Sequence, residues 1–283
     1  MWLIPPFVFT CILIFTLLGN GGQAFSGCSA NVAYTITVIK YAGHGNFSTI
    51  QAAINSIPSK NDRWVRILVS PGFYREKVTI PIDKPCIILQ GKSPKSTMIS
   101  WNAHTITDKS ATFTIFADNF VAKNIAFKNA YKYQRPVNGS SNLQSVTVEV
   151  VGDKSSFHGC SFFGFQDTLW DAKGRHYFKN CLIEGTVDFI WGSGQSIYEG
   201  CQISVLPCFG GQIPGFITAQ GRNSANDNSG FVFKGGRVFG NGNTHTYLGR
   251  AYGAYSRVIW YGTEFSNIIV PEGWQAWSHV HQE

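Results

Sequence analysis

The sequence has no Cys-x-x-Cys pair and no Gly-x-Ser-x-Gly elbow, and its one long apolar run is too short to cross a bilayer comfortably. Each absence closes a chemistry. Without Cys-x-x-Cys the usual zinc-ligand spacing is missing. Without the elbow, a serine hydrolase of that type is disfavoured. Gly192-Ser193-Gly194 lacks the third glycine and the βαβ setting of a dinucleotide loop. His279 and His281, two apart near the end, read as surface residues rather than metal ligands. Lysine and arginine are scattered, which argues against a nucleic-acid patch. No linker or shift in composition divides the chain, so residues 25–283 read as one domain, of a size that supports a continuous core.

The apolar run is Phe7 to Leu18. It has signal-peptide length, and small residues follow it up to Ala24. A basic n-region is missing, because Met1-Trp2-Leu3-Ile4 carries no side-chain charge. Residues 1–24 are nevertheless read as a cleaved signal peptide. Secretion is therefore expected, with no membrane attachment after cleavage.

Cysteine usage fits an oxidising compartment. With Cys11 in the signal, Cys28, Cys86, Cys160, Cys181, Cys201 and Cys208 remain. Cys160, Cys181 and Cys201 recur at near-constant intervals, which suggests stacked buried thiols rather than a complete disulfide framework. The pairing of the others stays open. Asn46 and Asn138 head glycosylation tripeptides. A net charge of +7 on a secreted chain favours an anionic extracellular polymer as partner.

What the chain does contain is a repeat. Short β-rich runs, each broken by Gly, Asn or Cys, recur every twenty-odd residues: Phe120 to Phe127, Ser156 to Phe162, His176 to Ile183, Ser196 to Ile203, Phe231 to Val238 and Val258 to Phe265. Alternation within each run marks a strand with one buried face. Strands this short bury that face only by stacking rung on rung, which predicts a parallel β-helix. Gly and Asn supply its tight corners. Ser48 to Ile57 has helical spacing and stops before Pro58. It predicts a short helix capping the first turn and covering a sheet edge. The long gap between Cys201 and Gly236 predicts one enlarged loop on the rim of a cleft.

Two acids stand out in this frame. Asp167, in Gln166-Asp167-Thr168-Leu169, and Asp188, in Val187-Asp188-Phe189-Ile190-Trp191-Gly192, lie about one repeat apart. In a solenoid they project from one face on neighbouring turns. Such a pair can divide labour, one ionised and attacking, the other protonated and donating. Gln144 and Gln166 offer neutral amide donors for an oxyanion. The plainer alternative has both acids capping turns and both glutamines in a polar ladder. Bulky neighbours (Phe165, Leu169 and Trp170; Phe189, Ile190 and Trp191) favour buried acids with shifted pKa values. Arg250 is a lone cation in aromatic surroundings that needs a carboxylate partner; it could keep Asp188 ionised, and the plainer alternative is an ordinary structural salt bridge. Trp170, Trp191, Tyr252 and Trp274 lie near these segments and offer faces on which sugar rings stack.

Taken in order, the motifs resemble those of plant pectin methylesterases. The matching pieces are Gly45 to Ile54, Gly72-Phe73-Tyr74-Arg75-Glu76, Gln144-Ser145-Val146, Gln166-Asp167-Thr168-Leu169, Asp188-Phe189-Ile190-Trp191-Gly192, Thr218-Ala219-Gln220-Gly221-Arg222 and Leu248-Gly249-Arg250. The resemblance implies an all-β, right-handed parallel β-helix that releases methanol from methyl-esterified galacturonan. It implies Asp188 as nucleophile, Asp167 as general acid and base, and Gln144 and Gln166 as oxyanion donors. Gln144, Arg250, Tyr252 and Trp274 would contact substrate. It implies no metal and no organic cofactor. The expected setting is the plant cell wall, with pectin as partner, a proteinaceous pectinesterase inhibitor as a further partner, and a monomeric state.

The sequence departs from the family pattern at four places. Ala251-Tyr252 stands where Pro-Trp is usual, Trp191 where Phe is frequent, and Ser145 where Ala is frequent. The domain ends at Glu283, soon after Trp274, where relatives continue; a truncated C-terminal end is therefore expected. Two other functions remain open on sequence alone. A pectin glycosidase or lyase would use the same two acids on the glycosidic bond. A pectin-binding wall protein of weak activity would follow from the short end.

Overall fold

The computed structural model describes residues 27–40, 47–104, 106–131, 144–208 and 213–280. The signal segment, Asn46, Asn138 and His281 lie outside the described residues. The chain winds through three parallel sheets of nine, eight and eight strands. Each coil contributes one strand to each sheet in turn: Arg175–Lys179 to the first, Leu182–Gly185 to the second, Val187–Gly192 to the third. Within each sheet, strands inside the edges pair in parallel with their counterparts one coil before and one coil after. This is the parallel β-helix that the repeat predicts.

Stacking puts like on like in the interior. Phe157, Phe178, Tyr198, Phe233 and Trp260 occupy one register row of the first sheet. Their rings stack near-parallel at centroid distances of 4.8, 4.6, 4.6 and 3.8 Å. Cys160, Cys181 and Cys201 are buried and unpaired, as their spacing suggested. Cys28 and Cys86 form a disulfide that ties the start of the described chain to the second coil.

The corner between the first and second sheets shows why Gly and Asn recur. Asn124, Gly159, Asn180, Gly200, Gly235 and Gly262 follow one another up the coils, all with φ between +52° and +65°. Asparagine tolerates that left-handed backbone, and glycine adopts it at no steric cost. A Cβ at Gly159 would lie 2.8 Å from Asn124 Oδ1, and one at Gly200 2.6 Å from Asn180 Oδ1. Each asparagine side chain thus fills the space its next-coil glycine leaves.

Helix α1 (Ile50–Ser56) forms where the sequence places it. Ile50, Ala53 and Ile54 are its buried side, packed on strands Val32–Val38, Trp64–Val69 and Val78–Ile80. Thr49 Oγ1 accepts from Ala52 N at 3.3 Å, and the Glu76 carboxylate accepts from Ile50 N and Gln51 N at 3.0–3.1 Å. The carboxylate offsets the positive end of the helix dipole. Between Cys201 and Gly236 the structure differs from the single enlarged loop expected. Strands Gln202–Val205, Gly215–Gln220 and Gly230–Lys234 run through that stretch, so the extra length is split between two excursions of one ordinary coil.

Candidate active site

The site is built on the outer face of the third sheet. Trp170 pairs with Trp191, Trp191 with Ala219, Ala219 with Arg250, and Arg250 with Gln275. Period-2 alternation turns this row outward. Trp170 and Trp191 stack at 4.5 Å with planes 14° apart. Ala219 is small and leaves room above Trp191, so the long Arg250 side chain folds back across two strands.

Both acids sit at irregular backbone. Leu169 pairs with Ile190, which places Asp167 and Asp188 at matching positions on adjacent coils. Asp167 has φ +62° and Asp188 +50°, left-handed values uncommon outside glycine. Against the next coil, Val187 pairs with Phe216 and Ile190 with Thr218, so Asp188 and Phe189 together oppose the single residue Ile217. This is a β-bulge, a device that re-aims a side chain next to a site. Asp167 is anchored by Thr168, which is buried and donates to Glu184 O at 3.0 Å. Asp167 N donates to Val187 O at 3.1 Å, tying the two coils together at the acids. Gln144 bridges Gln166, and Gln166 bridges Val187, in the same parallel stack. Both glutamines are half-buried at the edge of the acid pair.

The two carboxyls have different surroundings. Asp188 and Asp167 are 6% and 7% exposed. Arg250 Nε donates to Asp188 Oδ1 at 2.8 Å, and Arg250 Nη2 donates to Oδ2. Burial raises the Asp188 pKa, while the arginine's hydrogen bonds and charge oppose the rise. For Asp167, burial and then the charge of Asp188 push the pKa up to about 8, with Arg250 and a Gln166 hydrogen bond opposing. The bidentate arginine makes Asp188 the cheaper of the two to ionise, so the pair carries its single negative charge there.

Arg250 is itself held between rings. Its guanidinium carbon lies 4.3 Å from the Phe216 centroid and 3.7 Å from that of Trp277. Tyr252, 53% exposed, meets the edge of Trp191 at 6.2 Å and Trp277 at 5.7 Å. Sequence reasoning missed Phe216 and Trp277. The only available signal was that Phe216 lies two residues before the motif Thr218-Ala219-Gln220-Gly221-Arg222. Trp274 is not in the outward row. It pairs with Gly249 on the inward row, where a Cβ at Gly249 would lie 2.5 Å from its ring. There it lines a cavity of about 250 Å³ with Arg222 and His279. Among the described residues no cluster of His, Cys, Asp and Glu could hold a metal ion.

Comparison with known proteins places these features in a family. The family model described as Pectinesterase matches residues 35–282. The Arabidopsis thaliana protein named probable pectinesterase 55 is 48% identical over 254 residues, covering 87% of this chain and 75% of that protein. Probable pectinesterase 29 of the same plant is 46% identical over 251 residues, covering 87% and 73%. Among solved structures, pectin methylesterase from carrot superposes with a TM-score of 0.78 at 31% identity, covering 87% of this chain and 78% of that one. A pectin methylesterase solved in complex with hexasaccharide VII gives 0.76 at 26% identity, covering 85% and 81%.

Proposed function

The chain belongs to the pectinesterase family and is a pectinesterase by that membership; we propose that it demethylates galacturonan through an aspartyl acyl-enzyme formed on Asp188. One observation carries this reading: two buried carboxyls in register on adjacent coils, one bonded through both oxygens to Arg250, the other raised to about 8.

An Asp188 oxygen attacks C6 of a methyl galacturonate unit, and the carbonyl electrons move onto its oxygen. Gln144 and Gln166 donate to that oxyanion. As the intermediate collapses, the bond from C6 to methoxyl oxygen breaks and Asp167 delivers its proton, so methanol leaves. Asp167, now ionised, takes a proton from water, whose oxygen attacks the acyl carbon. The bond to Asp188 breaks, and galacturonic acid departs with Asp167 protonated again; the product's new carboxyl then loses its proton to solvent. Arg250 holds Asp188 at the attack angle, and the Trp170–Trp191 floor with Tyr252 and Trp277 offers faces for the sugar rings. Trp274 supports this face from behind Gly249. The site works as a monomer, and a proteinaceous inhibitor would reach it along the same open face. The Phe7–Leu18 run supports export to the plant cell wall, where methylated galacturonan lies.

The test is methanol release from highly methylated pectin by the purified protein, with polymer length followed in parallel. Methanol without shortening is expected, and Asp188→Ala should reduce the rate at least ~1000-fold. Shortening without methanol, or full activity in Asp188→Ala, would overturn the reading.

A further inference from the structure

The outer face of the first sheet has a composition the catalytic reaction does not use. Tyr177, Ile197, Val232 and Ile259 follow one another in register across it. Ile197 and Ile259 are 44% and 48% exposed. Tyr177 and Val232 are half-buried in the same row, so the four form one apolar stripe reaching the surface. Beside it runs a second row, Lys123, His158, Lys179, Glu199, Lys234 and Tyr261. Glu199 lies between two lysines, 3.3 Å from Lys179 and 3.7 Å from Lys234.

Two cavities open on this face. One, of about 350 Å³, is bounded by Lys123, His158 and Lys179. The other, about 560 Å³, has the apolar row as its floor, with Arg175 and Arg257 beside it. The amides of Gln195 and Asn228 also line it, and so does Ser196. Ser196 Oγ is buried and has no hydrogen-bond partner among the described residues. Arg175 pairs with Asp153. Arg257 donates to the Ser229 carbonyl at 2.8 Å and forms no ion pair among the described residues. Among the described residues, the ion pairs of Lys123, Lys179, Lys234, Arg175 and Arg257 are with two acids, Asp153 and Glu199, while Asp118 acts on Arg175 through its charge.

Flat apolar side chains flanked by regularly spaced cations fit an anionic polysaccharide. The apolar row covers the C–H faces of sugar rings, the amides meet hydroxyls, and the cations meet carboxylates recurring along a chain. Lys179 and Lys234 stand two strands apart, roughly 10 Å. The ligand's origin rests on the function proposed above, since each turnover converts a neutral ester into a polymer-bound carboxylate. We propose that this face is a second, non-catalytic binding site for de-esterified galacturonan. It belongs to a different sheet from the acid pair, so a chain held there leaves the catalytic face open. The site ties the enzyme to its own product, and so to polymer regions where demethylation has begun.

The experiment uses the whole protein and fully de-esterified polygalacturonate, which cannot be a substrate. Retention on the immobilised polymer should fall at least tenfold in Lys179→Gln/Lys234→Gln and in Ile197→Ser/Ile259→Ser. Methanol release from a short methylated oligogalacturonide should stay within twofold in both. Hydrogen exchange with the polymer bound should slow over Gln195–Glu199 and Gly230–Lys234. Unchanged retention in both variants would overturn the proposal, as would protection confined to Leu169–Asp171 and Val187–Gly192. Equal retention on dextran sulfate would reduce the face to an unselective cation exchanger, and the proposal would fall. A protein that binds the polymer here yet releases no methanol would count against the catalytic reading alone.

Discussion

Two acid centres lie on one coil of this protein, and they are buried for different ends. Asp167 and Asp171 are separated by one short strand entry. Asp171 is completely buried, with Oδ1 2.5 Å from His176 Nδ1 and Oδ2 accepting from the Tyr198 hydroxyl at 2.6 Å. His176 Nε2 lies 3.1 Å from the Gly152 carbonyl. With an acceptor on each side, a proton on either ring nitrogen finds a partner. Burial lowers the His176 pKa, but the charge and hydrogen bond of Asp171 and the Gly152 carbonyl outweigh it, and the net shift is upward. Each oxygen of Asp171 therefore has its donor. Asp167 is less well served: a Gln166 hydrogen bond and the charge of Arg250 act on it, but burial and the neighbouring Asp188 carboxyl outweigh them. Burial with full satisfaction makes a strut, whereas burial with repulsion left unresolved makes a proton donor.

The sharpest way to break that contrast is Asp171→Ala. It leaves both His176 Nδ1 and the Tyr198 hydroxyl without their buried acceptor and should cost about 3–5 kcal/mol of stability, read as denaturant midpoint, with methanol release per folded molecule intact. A large catalytic loss in soluble, folded Asp171→Ala would merge the two centres into one machine.

Arg250→Lys probes the other centre with a smaller effect. A single ammonium cannot bond both Asp188 oxygens in a fork or stack flat between Phe216 and Trp277. The kcat should fall about 100-fold, with the melting temperature little changed. Retained kcat would mean that charge alone is needed at that position.

The smallest effect is the most diagnostic. Activity should rise with pH as Asp188 ionises and fall again as the pair loses its second proton near pH 8, because Asp167 must be protonated to donate. The stability consequence has a definite sign. Folded Asp167 keeps a proton that the unfolded chain releases, so stability falls as pH rises from about 4 to about 8. At pH 7, Asp167→Asn should raise the melting temperature by at least ~2 °C, the worth of 1 kcal/mol in a domain of this size. At pH 3.5 it should change nothing. A mutant equally or less stable at pH 7 would show that Asp167 is as well satisfied as Asp171.

Legibility in the sequence followed the range of the interaction. The coil period, the Asn and Gly corners, the thiol ladder and the capping helix could be read because each is set by residues close in sequence or repeated at a fixed interval. The two acids could be picked out because each stands among bulky neighbours close in sequence. Glu76 at the start of α1 could not, because it reaches the helix from the following coil. The excursions around Gly215–Gln220 were taken for one loop because that strand's partners are set by stacking rather than by local pattern. Phe216 and Trp277 were invisible for the same reason: they meet Arg250 from different coils.

Asp171 marks the boundary most clearly. In the sequence it sits beside Trp170 much as Asp188 sits near Trp191, and nothing local tells which of them meets a histidine and a tyrosine and which an arginine. By itself the sequence determined the repeat, and with it which residue types recur on each face, because alternation and turn chemistry act within a few bonds. Only the tertiary structure decided which buried acid finds two donors and which finds another acid. Electrostatic partners are chosen by proximity across coils, and that proximity exists only once the coils are stacked.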